Sequence, residues 1–328
     1  MYNAIRVAEF GAPAVMQLRS VAIPETLGAS EVLVRVAAAG VNPVDTYIRK
    51  GNYASLPSLP YTPGKDGAGI VHRIGDSVSK VKAGDRVYLS GSKSGTYAEM
   101  TICDVSQVHH LPANVSFEKG ASLGVPYATA YRALFQRCRA RSAETVLVHG
   151  ASGGVGLACV QFARVHGLTV IGTASSKSGR ELILAQGAHH ALDHSNDQYV
   201  KEVMDITKGQ GVHIVMEMLA NVNLEKDLTM IRRHGRIAII GNRGSLDFNP
   251  RAIMSKEAEL YGVQLGVLTS EEADEIHAAI WAGLTQGFLD PAVGSVFPLA
   301  DAARAHEEII DPPRGAVGKV ILRPEIKQ

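Results

Sequence analysis

The residues best suited to do chemistry in this sequence form one glycine-rich run, Val146-Leu147-Val148-His149-Gly150-Ala151-Ser152-Gly153-Gly154-Val155-Gly156. It has the form A-x-G-x-x-G, with Ala151 in the first glycine position. An apolar strand precedes it and a helical pattern follows. In that context Gly153 lets the backbone approach a pyrophosphate, and Gly156 lets the helix pack close to the sheet. The helix N-terminus adds free N–H groups and partial positive charge. Ser152, Gly153, Gly154 and Val155 are therefore the candidate phosphate contacts.

The next informative position lies about 20 residues on, where a site for NAD carries Asp or Glu to bond the ribose hydroxyls. Here the second strand ends Ile171-Gly172-Thr173-Ala174-Ser175-Ser176-Lys177-Ser178-Gly179-Arg180, with no carboxylate before Glu181. A carboxylate would repel a 2′-phosphate, whereas Ser175, Lys177 and Arg180 would attract one. The turn predicts NADPH over NADH.

These residues need a scaffold. The chain has 328 residues, enough for two domains, and 46% are hydrophobic. Lys plus Arg number 33 and Asp plus Glu 32, a net charge of +1, so no global charge drives binding to nucleic acid or an anionic membrane. The three cysteines, Cys103, Cys138 and Cys159, are scattered and form no CxxC pair, which predicts a reducing, cytoplasmic setting. No apolar run is long enough for a transmembrane helix, and the N-terminus carries charge where a signal peptide needs apolar residues.

The first 120 or so residues read as β-rich, with runs such as Val32–Val36 and Arg86–Ser90 between Gly, Pro and Asp turns. The texture changes near residue 123. Apolar runs at Thr145–His149, Thr169–Thr173, His190–Asp193, Val212–Met216 and Arg236–Ile240 then alternate with helical segments, among them Val155–His166 and Lys177–Gln186. That alternation predicts a doubly wound parallel sheet covered on both faces. Helical stretches at Glu271–Gln286 and Leu299–Ile310 precede a strand-like end, Gly318–Leu322, which returns to the N-terminal domain.

Several motifs then carry a family resemblance over essentially the whole chain. They are Gly40-Val41-Asn42-Pro43-Val44-Asp45-Thr46-Tyr47, Pro60-Tyr61-Thr62-Pro63-Gly64-Lys65-Asp66, Gly84-Asp85-Arg86-Val87, Tyr97-Ala98-Glu99, Pro126-Tyr127-Ala128-Thr129-Ala130-Tyr131, the glycine turn through Gln161, and Glu217-Met218-Leu219-Ala220-Asn221-Val222-Asn223. The chain resembles the zinc-independent quinone reductases of the zeta-crystallin type, within the medium-chain dehydrogenase/reductase superfamily. Ala143 is a small departure, where the pattern often has Gly.

The resemblance implies an α/β chain with a GroES-like, β-rich catalytic domain (residues 1–124, completed by 268–328) and an inserted Rossmann-type nucleotide domain (125–267), with the cleft between them. Zinc-dependent relatives have Cys where this chain has Asn42, and His-Glu where it has Lys65-Asp66. Asn42 and Lys65 supply no zinc ligand of the usual kind. Metal is therefore not expected, and without a Lewis acid the fitting chemistry is hydride delivery from NADPH to a conjugated acceptor.

By resemblance Tyr47 contacts the cofactor, Asn42 donates a hydrogen bond to the substrate carbonyl, and Tyr53 stacks on a planar quinone. Lys65 is an electrostatic contact or pairs with Asp45 or Asp66. Thr129 faces the nicotinamide carboxamide, His194 the adenosine phosphate, and Asn223 the ribose or nicotinamide. Ile240, Gly241, Asn242 and Arg243 end the fifth strand at the ligand-binding edge, with Gly241 permitting close approach and Arg243 as a cation for the phosphates. Val263, Gln264 and Leu265 end the sixth strand and offer backbone groups to the carboxamide. Lys319 reaches the 2′-phosphate or lies on the surface. No general acid stands out.

The resemblance implies an NADPH-dependent quinone reductase, with a 2-alkenal or enone reductase as the alternative. Relatives also serve as lens proteins or bind AU-rich RNA. Balanced charge and 5% aromatic residues give RNA binding no support here. A homodimer or homotetramer is implied, pairing through the sixth strand within Phe248–Leu268.

Overall fold

The computed structural model describes residues 1–313 and 315–325. The chain opens with strands β1 (Tyr2–Val7), β2 (Met16–Val21) and β3 (Glu31–Gly40), then helix α1 (Pro43–Arg49). Strands β4 (Asp66–Ile74), β5 (Arg86–Ser90), β6 (Met100–Asp104) and β7 (Val108–His110) follow, with helices α2 (Phe117–Gly120) and α3 (Gly124–Tyr131). Next comes the alternating stretch: β8 (Thr145–Val148), α4 (Gly154–Val165), β9 (Thr169–Thr173), α5 (Lys177–Ala185), β10 (His190–Leu192), α6 (Gln198–Ile206), β11 (Val212–Glu217), α7 (Ala220–Met230), β12 (Ile231–Ile239), α8 (Arg251–Met254) and β13 (Glu259–Gly262). The chain closes with α9 (Ser270–Gln286), β14 (Val293–Pro298), α10 (Ala302–Ile310) and β15 (Lys319–Arg323).

Strands β8 to β13 form one six-stranded sheet in the order β10-β9-β8-β11-β12-β13, and every neighbouring pair is parallel. The order reverses between β8 and β11, so the crevice for a ligand opens at their carboxyl ends. β8 and β11 read as continuous apolar runs because helices cover both faces; Val146, Leu147, Val148, Ile214, Val215 and Met216 are all buried.

The second sheet has seven strands, in the order β14-β15-β3-β4-β5-β7 with β6 also on β3. β15 pairs antiparallel with β3 at Ile321↔Gly40 and Leu322↔Ala39, so the C-terminal strand does return to the N-terminal sheet. Close packing at β3 needs glycine: a Cβ on Gly40 would lie 2.1 Å from the Ala121 carbonyl oxygen.

Several boundaries differ from the sequence reading. β12 stops at Ile239, so Ile240, Gly241, Asn242 and Arg243 follow the fifth strand rather than end it. β13 stops at Gly262, so Val263, Gln264 and Leu265 follow the strand rather than end it, and Val263 N–H donates back to Ile239 O. β12 begins at Ile231, ahead of the expected Arg236, because Arg232, Arg233 and His234 mask the apolar pattern.

Candidate active site

The glycine turn leaves β8 through His149, with Gly150 at φ +52°. Its glycines have different causes. A Cβ on Gly156 would lie 2.5 Å from both Ala151 Cα and Gly150 O, so the protein itself requires glycine there. A Cβ on Gly153 would find nothing nearer than Gly150 O at 3.5 Å, and its backbone is extended at φ −82°, ψ 172°. The protein's own packing does not require glycine there, whereas close approach of a cofactor pyrophosphate would. The N–H groups of Gly154, Val155 and Gly156 begin α4 without intrahelical acceptors, which suits phosphate oxygens. Buried Ser152 turns its carbonyl to Gly318 N–H at 2.8 Å, binding the C-terminal segment to the turn.

Beyond β9, Ser175 is exposed and Ser176 caps α5 by accepting from Gly179 N–H at 3.1 Å. The Lys177 side chain is 86% exposed and 3.8 Å from the Glu181 carboxylate, in a weak surface pair. Arg180 serves the protein rather than a ligand. Its guanidinium donates to the Ala174 and Ser175 carbonyls at 3.1 and 3.0 Å and pairs with Asp193 at 2.7 Å, so the turn itself absorbs its charge.

On the catalytic-domain side, the side chain of Asn42 is not open to a substrate. Asn42 is buried; its Nδ2 donates to Asp66 Oδ2 at 2.9 Å and its Oδ1 accepts from Lys319 Nζ. Lys319 also pairs with Asp66 at 3.1 Å, and Asp66 Oδ1 accepts from Val125 N–H at 2.7 Å at the start of α3. Lys319 is only 3% exposed. It therefore neither reaches a 2′-phosphate nor lies on the surface. It fills the place expected for Lys65, which is exposed. An amide, one carboxylate and an ammonium between them do not make a cation site, because the ammonium already neutralises the carboxylate.

Asp45 lies behind this group. Its carboxylate accepts from Asn42 N–H at 2.9 Å, half of a capping box that fixes the start of α1, and from Tyr97 Oη at 3.1 Å. Burial first, then the nearby Asp66 charge, push it up to about 6, against stabilising hydrogen bonds. Tyr97 Oη also meets His306 Nε2 at 3.1 Å, and His306 Nδ1 accepts from Arg49 Nε at 3.2 Å. Burial holds the His306 ring down at about 3, so it is neutral.

α1 presents half-buried Tyr47, whose hydroxyl accepts from Arg243 Nε at 3.2 Å across the cleft. That bond links the first catalytic loop to the segment after β12. Tyr53 is half-buried on the same loop, and Thr129 is buried on α3. His194 Nδ1 meets Thr173 Oγ1 at 2.9 Å at the sheet's carboxyl edge, and burial lowers its pKa below 6.5. Asn223 Nδ2 donates to Glu217 Oε1 at 3.1 Å. Ile240 and Gly241 share the carbonyl of Glu217, and Asn242 Oδ1 accepts from Asn221 N–H at 3.1 Å. Gly241 is glycine for an internal reason: a Cβ there would sit 2.2 Å from Met218 O.

The comparisons with known proteins agree with this fold. The model for the alcohol dehydrogenase GroES-like domain matches residues 28–113, and the zinc-binding dehydrogenase model matches residues 154–281. Rat quinone oxidoreductase is 47% identical over 322 residues, covering 98% of each chain. The chain belongs to the quinone oxidoreductase family of the zeta-crystallin type. Human quinone oxidoreductase is 46% identical, again covering 98% of each chain, and that of Pseudomonas aeruginosa 32%, covering 99% of this chain and all of the other. Escherichia coli quinone oxidoreductase complexed with NADPH superimposes with a TM-score of 0.89 at 30% identity, over 98% of this chain and 100% of that one. A mycobacterial protein complexed with NADPH gives 0.90 at 31% identity, over 99% and 100%.

The residues not foreseen are Lys319 and Asp66 as a pair, and His149 with Glu217 and Asp227, all buried. One signal for the first pair was available. Each is a charge, of opposite sign, placed directly before an apolar strand: Asp66 before Gly67–Val71 and Lys319 before Val320–Leu322.

Proposed function

We propose that this chain is an NADPH-dependent quinone reductase that works without a metal ion. The observation that carries the reading is Gly153, a glycine at the start of α4 that the protein's own packing does not require, beside a carboxylate-free turn at Ser175. The names and NADPH complexes of its relatives support the same cofactor and acceptor. When bound, NADPH supplies a hydride to an electrophilic acceptor.

The chain's own residues place the two molecules. Gly153–Val155 and the start of α4 would hold the pyrophosphate. Ser175 and Lys177 would hold the 2′-phosphate. Thr129, Asn223 and the residues at 240–243 and 263–265 would line the rest of the cofactor's path, with Tyr47 and Tyr53 on the acceptor side. A reduced quinone can take its proton from water.

Residues 1–124 with 268–328 then act as the catalytic domain and 125–267 as the nucleotide domain. We take a homodimer as the smallest assembly, formed through β13, the end strand of its sheet. A cytoplasmic setting suits three free cysteines, and among the described residues no helix is long and apolar enough to cross a membrane.

Fluorescence titration with NADPH and NADH, followed by addition of ortho-naphthoquinone, tests the reading. NADPH should bind more tightly and be oxidised on addition of the quinone. Ser175→Asp should weaken NADPH by about 10-fold or more, because it removes a hydrogen bond to a charged group and sets a carboxylate against the 2′-phosphate. Preference for NADH would overturn the cofactor assignment. NADPH binding with turnover of enones alone would reassign the acceptor.

A further inference from the structure

Behind the cleft, at the strand-order reversal, three titratable groups are buried together. His149 follows β8, Glu217 ends β11, and Asp227 lies on α7. His149 Nε2 is 2.7 Å from Asp227 Oδ1 and 3.6 Å from Glu217 Oε2. Glu217 Oε1 accepts from Leu219 N–H and from Asn223 Nδ2, so one carboxyl oxygen ties down both ends of the Leu219–Asn223 segment. The other oxygens, Glu217 Oε2 and Asp227 Oδ2, are fully buried and have no donor. Two facing carboxyl groups relieve such oxygens by holding a proton between them.

We propose that His149, Glu217 and Asp227 form a proton-holding brace that positions Leu219–Asn223 and couples NADPH affinity to one proton. This rests on the NADPH reading above. Glu217 is a positioning residue, acting through Asn223 and the Leu219 amide.

Burial pushes Glu217 up to about 8 and Asp227 up to about 7. Burial lowers His149, opposed by Glu217 and reinforced by the cation of Lys226 on α7. Other groups face the cluster as well. From α6 the Tyr199 ring stands edge-on to His149 at 6.1 Å, with Lys226 Nζ 6.0 Å over its face and paired in turn with Asp197. From beyond β10, His194 senses the His149 charge. NADPH brings further negative charge, which raises a neighbouring carboxyl pKa; binding then takes up a proton and weakens as pH rises. With the proton lost, two buried like charges repel across the brace, and NADPH adds to that repulsion.

The test is NADPH affinity, by fluorescence, from about pH 7 to about pH 9.5, where a phosphate with a second pKa of about 6 is already ionised. Wild type should weaken by roughly 5–10-fold across that range, as expected for one linked proton. Glu217→Gln, which keeps the acceptor and supplies a fixed donor, should give a flat profile. Glu217→Ala should bind less tightly throughout, with its thermal unfolding measured alongside. A Glu217→Gln profile parallel to wild type, or a flat wild-type profile, would overturn the brace. No NADPH binding by wild type at neutral pH would instead overturn the cofactor reading and the brace with it.

Discussion

Lys319 and Asp66 stand 253 positions apart in the chain and meet as a buried ion pair at 3.1 Å. Asp66 also receives the Asn42 amide and the Val125 N–H, so one carboxylate joins β4, the first catalytic loop, α3 and β15. Lys319 begins β15 directly after Gly318, which is bonded to the glycine turn. The pair therefore sits where the two halves of the cleft are fastened together.

Removing only one partner should be costly. Lys319→Met leaves Asp66 buried with its charge uncompensated, and such changes cost about 3–5 kcal/mol. Urea unfolding of the variant checks this. The double variant Lys319→Met with Asp66→Asn should recover part of the loss, read as a coupling energy in a double-mutant cycle. Additive costs would show that the two groups do not interact.

The glycines of the turn should separate by readout. Gly156→Ala drives a methyl into Ala151 and should lower stability by about 1–3 kcal/mol. Gly153→Ala has room within the protein and should change stability by no more than about 0.5 kcal/mol. The same methyl occupies the cradle, so NADPH affinity should fall by about 10-fold or more, some 1.4 kcal/mol. Thermal unfolding and a cofactor titration on both variants decide it. A destabilised Gly153→Ala would mean that the cradle belongs to the fold.

Asp45 gives a pH prediction. Burial holds its carboxyl at about 6, above the ordinary 3.8. The folded state keeps a proton that the unfolded chain gives up between those values, so the ionised group opposes folding at neutral pH. Asp45→Asn keeps an acceptor for Asn42 N–H and Tyr97 and removes the charge. It should stabilise the protein by about 1–3 kcal/mol above about pH 6, with the gain fading to nothing below about pH 4. Denaturation midpoints across that range measure it. A gain that grows toward low pH would have the wrong sign.

Much of the nucleotide half was legible because its signals are local. Val146–Val148, Gly153, Gly156 and Thr169–Thr173 carry strand, turn and helix start within a few residues, and the observed elements follow them. The buried polar groups were not legible in that way. Nothing near Glu217 announces that Asp227 will fold back on it, or that β11 will lie beside β8 and bring His149 into reach. Asn42 is expected at the substrate by resemblance, and Arg180 and Gly241 by residue type and place, yet each is used by a neighbouring part of the chain. A donor, a cation and a small residue serve internal packing as readily as a ligand, and only the three-dimensional partners distinguish the two uses.

The place of β15 between β14 and β3 also bears on how the molecule comes into being. Strands β8–β13 all lie within residues 145–262, so their sheet can assemble while the rest of the chain is still being made. The N-terminal sheet, though synthesised first, lacks one of its interior strands until residues 319–323 emerge. During translation the Ala39–Gly40 end of β3 thus waits as an open edge, and the oldest part of the polypeptide is the last to be completed.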